Sequence, residues 1–155
     1  MKIRKVLLNN RKRAFQVHTA TKTYSFPYAK LDRPPSDDDR ITRVFVDKEA
    51  GREAFTCVLE SDREETVHIE QVLEYNKDPH YLKDQLLYKL TLEACKRVEA
   101  SPLSKREIVR RLSTSATQFY RLMDTTNYSK SLDQMLALLQ VLDCDVDVVV
   151  RAKSA

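Results

Sequence analysis

Lys105, Arg106, Arg110 and Arg111 crowd one short stretch, and Ser115, Ala116, Thr117, Gln118, Tyr120 and Arg121 follow directly. Glutamine can make paired hydrogen bonds to an adenine edge, and arginine can do the same to a guanine edge. Threonine hydroxyls hold phosphates, and lysine and arginine neutralise them. These residue types together suit the surface of a nucleic-acid duplex. Asn127 and Lys130 extend the polar, basic run, so that residues 104–131 hold six cations against Glu107 and Asp124. A second cluster, Lys2, Arg4, Lys5, Arg11, Lys12 and Arg13, has no acid beside it, and its Arg11-Lys12-Arg13 part reads mainly as a solvated hairpin tip. Because the net charge is only +4, the placement of charge, more than its total, points to a polyanion.

Other chemistry finds little support. Gly51 is the single glycine, and a phosphate-cradling loop needs several so that backbone amides can approach the ligand. Asp37, Asp38 and Asp39 lack the alternating spacing of a calcium loop and read as a solvating run. His18, His68 and His80 are far from one another and from the cysteines, so no metal or cofactor site is expected. No local signature of nucleophilic catalysis is present, and an enzyme is not expected. Cys57, Cys95 and Cys144 are odd in number and widely spaced, which suits thiols in a reducing cytoplasm. With no secretory pattern at the start and no run near the roughly 18 apolar residues of a membrane span, the expected location is cytoplasmic.

These side chains need elements to position them. Residues 2–8, 14–19, 23–28, 41–47, 54–59 and 66–69 are β-prone and separated by turn-forming residues, which suggests a meander of about five strands. The stretch Leu31–Asp39, with Pro34 and Pro35, reads as a loop. From Pro79 the pattern changes: Leu82, Leu86, Leu90, Ala94 and Val98 recur every four residues, with Leu87 widening the stripe. This predicts an amphipathic helix of about five turns, capped by Asp78 and ended at Ser101-Pro102. Ser104 with Glu107 has the spacing of a capping box, and Ile108, Val109 and Leu112 give the helix that follows an inner face. After the break Ser113-Thr114-Ser115, a second short helix turns Phe119, Leu122 and Met123 inward. Two short helices joined by three polar residues have the geometry that sets the second in a major groove.

Leu103–Met123 resembles the helix-turn-helix of the phage-repressor (XRE-type) family, whose pattern runs Leu-Ser-Gln, Leu-Ala, Leu-Gly and then a second helix. The resemblance puts Lys105 at the phosphate-contacting place, Val109 at the small buried place and Ala116–Gln118 at the start of the reading helix. Ser113 stands where the family has its turn glycine. Ala116 stands where a base-reading glutamine is common, which moves expected base reading to Thr117, Gln118 and Arg121. Asn127–Leu142 is similar to the later helices of that family, and Asp145–Val150 to the terminal strand of its antitoxin-type members.

The expected fold is α+β. An N-terminal antiparallel β meander occupies residues 1–78. A connecting helix and a C-terminal lambda-repressor-like helix-turn-helix bundle with terminal strand occupy residues 79–155. The terminal strand must find an edge, either on the N-terminal sheet or on a second copy across a twofold axis. The expected function is sequence-specific regulation of transcription by a homodimer, with double-stranded DNA as partner and no membrane. The alternative is an antitoxin-like or other protein-interaction module that meets a protein partner through the N-terminal domain and binds DNA secondarily. An enzyme in the β domain would require a deep polar pocket.

Overall fold

The computed structural model describes residues 1–154, and the chain is α+β. It divides into two compact units, Met1–Leu82 and Lys83–Ala155.

In the first unit β1 (Lys5–Asn9), β2 (Ala14–His18) and β3 (Thr23–Pro27) form one antiparallel sheet in that order. A second is formed by β4 (Ile41–Asp47), β5 (Ala54–Leu59) and β6 (Glu64–His68). The single five-stranded meander expected from the sequence is thus replaced by two three-stranded sheets. Between β3 and β4 lie a 3-10 turn at Tyr28–Lys30 and the loop with Pro34 and Pro35, which lack the N–H that a continued ladder would need. The Asp39 carboxylate fastens this loop, accepting from the Ser61 amide and hydroxyl at 2.9 Å each.

β5 is buried along its whole length, as its unbroken Ala-Phe-Thr-Cys-Val-Leu run allows. Burial raises the Cys57 thiol to about 11, so it stays protonated at neutral pH. The Phe15 ring of β2 meets Tyr28 at 4.7 Å and Phe55 of β5 at 4.8 Å between centroids, so both sheets share one core. α1 (Ile69–Tyr75) adds Val72 and Leu73 to it.

α2 (Pro79–Ala100) starts at a buried aspartate. Asp78 Oδ1 accepts from the amides of His80 (3.1 Å) and Tyr81 (3.2 Å), and Oδ2 accepts from the Tyr24 hydroxyl at 2.9 Å. Lys22 Nζ stands 3.5 Å from the same oxygen. Desolvation works to raise the Asp78 carboxyl, but the Tyr81 amide, the Tyr24 hydroxyl and the Lys22 charge outweigh it and hold the group below its usual range. Burial, and then the carboxylate beside it, drive Tyr24 up to about 12.

The second unit contains the rest of α2 with α3 (Lys105–Arg111), α4 (Ala116–Met123) and α5 (Leu132–Val141). Leu87, Ala94 and Val98 of α2, Ile108 of α3, Phe119 and Leu122 of α4, and Met135, Leu138 and Leu139 of α5 make its core. Here the expected stripe is corrected. Leu86 is 62% exposed and Leu82 39%, while the buried line runs Leu87, Thr91, Ala94 and Val98. A strict four-residue repeat drifts about 40° around the helix at each step, so its first and last members cannot share a face. The terminal strand is corrected as well. Asp145–Val150 forms no strand and leaves Val148, Val149 and Val150 at 69–89% exposed, because no strand among the described residues pairs with it.

The Asp78 carboxylate yields a stability prediction. Its pKa is lowered on folding, so its contribution exists above the unfolded value and disappears as pH falls through the folded one. Tyr24→Phe should reduce unfolding free energy at neutral pH by about 1.5–3 kcal/mol and make stability less dependent on pH in the acid range. Urea titrations at neutral and acid pH measure both effects, and an unchanged neutral midpoint would remove this hydrogen bond from the list of stabilisers.

Candidate nucleic-acid interface

α3 begins at Ser104, whose hydroxyl accepts from the Glu107 amide at 3.1 Å. The expected capping box stops there. The Glu107 carboxylate turns along the helix instead, accepting from Arg110 Nε at 2.8 Å, an Arg110 terminal nitrogen at 2.5 Å and Arg111 Nε at 3.1 Å. Those arginines, with Arg110 ahead of Arg111 in effect, hold the Glu107 carboxyl down at about 2. Arg110 and Arg111 therefore lie exposed but paired, whereas Lys105 and Arg106 are exposed outside that pairing.

The connection between α3 and α4 closes on Ser113, at φ +53°. Its amide donates to the Arg110 carbonyl at 3.1 Å and the Thr114 amide to the Val109 carbonyl at 3.4 Å, the two bonds of a Schellman closure. Glycine normally serves here because a Cβ in the left-handed region is strained.

Ser115 then caps α4, its hydroxyl accepting from the Gln118 amide at 3.1 Å. Phe119 and Leu122 are buried and Met123 half-buried, so the opposite side of the helix faces water. Ala116, Thr117, Gln118, Tyr120 and Arg121 are all on that exposed side. Arg121 follows Thr117 by four residues and Gln118 by three, which puts the three side chains together. Among the described residues, the side chains of Thr117, Gln118 and Arg121 make no hydrogen bond or ion pair within the chain. Lys105 Nζ stands 6.0 Å from the Tyr120 ring centroid, linking the two helices at their surface.

The loop after α4 is held by its own side chains. Asp124 accepts from the Thr126 amide (2.9 Å) and hydroxyl (2.7 Å), and Asn127 accepts from the Ser129 amide (3.0 Å) and hydroxyl (2.6 Å). Asn127 also donates to the Arg121 carbonyl at 3.3 Å, so it braces the interface more than it faces a partner. Gln118 and Arg121 border a polar cleft of about 440 Å³, opposite Thr126, Asn127 and Ser129.

Lys130 is a correction. The sequence places it with the phosphate-binding cations, but it is 7% exposed. Its ammonium donates to Thr91 Oγ1 (2.7 Å), the Leu122 carbonyl (2.9 Å) and the Asp124 carbonyl (2.8 Å). All three donors are used, as a buried charge requires. Desolvation lowers its pKa, with the Asp124 charge acting in the opposite direction. Thr91, on the buried line of α2, is its partner, and no periodicity in the sequence reveals that pairing. The Glu107 pairing, by contrast, has a visible signal in its i,i+3 and i,i+4 spacing to Arg110 and Arg111.

No helix is long and apolar enough to cross a membrane, and no group of three or more His, Cys, Asp or Glu could hold a metal, both among the described residues. No family model matches the chain, and no curated protein or solved structure shows a significant match to it.

Two substitutions test how this surface is held. Lys130→Met keeps the stem but removes the ammonium from the Leu122 carbonyl and leaves the Asp124 carbonyl with the Asn127 amide alone, and should cost about 2–4 kcal/mol of stability. Ser113→Gly should instead add about 1 kcal/mol by relieving the left-handed turn. Chemical denaturation reads both, and a Met variant as stable as the parent would mean that the buried ammonium holds nothing together.

Proposed function

We propose that this chain is a sequence-specific, DNA-binding transcription regulator that lays α4 in the major groove. The observation that carries this reading is the uncommitted face of Thr117, Gln118 and Arg121, set on a helix whose other face is locked in the core and beside the cation-bearing α3. Gln118 and Arg121 would read base edges, Thr117 and Tyr120 would flank them, and Lys105 and Arg106 would meet phosphates. Arg110 and Arg111 would add phosphate contacts once released from Glu107, and Ser115 and Ala116 would let the start of α4 approach the duplex closely. In this reading α3 and α4 form a repressor-like helix-turn-helix, and the protein works in the cytoplasm without catalysis.

One such unit makes few phosphate contacts, so the reading pairs two copies on half-sites about one turn apart, ~34–36 Å. Asp145–Val150, which is not a strand within one copy, would become one by pairing with its own counterpart across the twofold axis.

Binding-site selection from random duplex is the test. An enriched motif is expected, and Gln118→Ala and Arg121→Ala should each lose about 1–3 kcal/mol of discrimination at one position of it. Lys105→Ala should weaken all sequences alike and lower the salt slope by about one unit. If no motif is enriched, or if these variants bind the selected duplex as the parent does, the proposal fails.

A further inference from the structure

We propose that Glu107 acts as an internal competitor for DNA phosphate, keeping Arg110 and Arg111 in a carboxylate fork that a phosphate must displace, and so sets the strength and salt dependence of binding. The inference rests on the DNA-binding reading above and deepens it.

The fork is well formed. Arg110 approaches both carboxylate oxygens, at 2.8 and 2.5 Å, and Arg111 shares one of them at 3.1 Å. A planar guanidinium binds a carboxylate and a phosphate through the same pair of parallel N–H donors, so the two anions compete for one geometry. The site is also accessible. The Arg110 and Arg111 side chains are 72% and 47% exposed, and that of Glu107 31%. Pairs so exposed are weak and screened by salt, which lets an array of phosphates displace the carboxylate. Glu107 does not occupy the position that its spacing from Ser104 predicts, since its side chain faces the arginines. The other cations of this surface, Lys105, Arg106 and Arg121, have no such partner among the described residues. Half of the positive charge on α3 is therefore held in reserve.

The test compares Glu107→Gln with the parent on a random-sequence duplex and on the selected duplex, across a salt series. Glu107→Gln should bind both duplexes several-fold more tightly and steepen the salt slope by about one to two units, as one or two more phosphates are neutralised. That gain should vanish when Arg110→Ala and Arg111→Ala are combined with it. The same two alanines in the parent, where Glu107 already holds the arginines, should cost less than they do beside Glu107→Gln.

A gain that persists without the arginines would reduce Glu107 to simple repulsion of DNA and overturn the inference. So would an unchanged salt slope in a parent that binds. If neither the parent nor Glu107→Gln binds any duplex, the function proposed above falls and this inference with it.

Discussion

A lysine ammonium removed from water must be given three acceptors or it will destabilise whatever surrounds it, and the second unit is arranged around meeting that demand at Lys130. The acceptors come from different places: Thr91 from the middle of α2, Leu122 from the last turn of α4, and Asp124 from the residue that ends it. One charge thus fastens the end of α4 to α2, just ahead of the Ser131 cap that starts α5. Thr91 is itself secured, its hydroxyl donating to the Leu87 carbonyl at 2.7 Å. The exposed face of Thr117, Gln118 and Arg121 stays in place because the opposite side of the helix has no freedom to rotate.

Helix ends place a second constraint on the chain, which has a single glycine and spends it in the β4–β5 connection, where Gly51 has φ +60°. Three helices therefore close on residues with side chains: Lys77 after α1, Ser113 after α3 and Asp143 after α5, all at φ between +52° and +56°. In each, two amides turn back to the last carbonyls, which keeps those acceptors satisfied while the backbone bears the strain. Ser113 is the consequential case, since the direction in which α4 leaves α3 is set there.

Charge works differently at the surface and in the interior. Asp78 and Lys130 are buried, fully engaged and structural. Glu107 and its two arginines are exposed. The same residue types thus serve as fasteners where water is excluded and as adjustable contacts where it is not, because water and salt screen the exposed pairs and leave the buried ones at nearly full strength. That contrast makes an exposed carboxylate a poor anchor for a basic surface.

Local chemistry was open to reading from the residues alone. The caps Asp78, Ser104 and Ser115, the helix starts after them, and the inward line of Phe119 and Leu122 follow from interactions only a few residues long. The break at Ser113-Thr114-Ser115 was marked by its polar residues between two helical stretches, while the left-handed backbone of Ser113 came with the structure. What the sequence by itself could not decide was which long-range partner a polar or apolar group would meet. Lys130 looks like its neighbouring cations until Thr91, 39 residues away, is brought against it. Leu86 looks like core until the buried line of α2 passes through Leu87 and Thr91 instead. The β-prone segments look like one meander until the proline loop divides them, and Asp145–Val150 looks like a strand although no edge among the described residues receives it. Short-range hydrogen bonding and helical period are written into neighbouring residues, whereas burial and pairing depend on which distant surfaces pack together, and only the tertiary structure decides that.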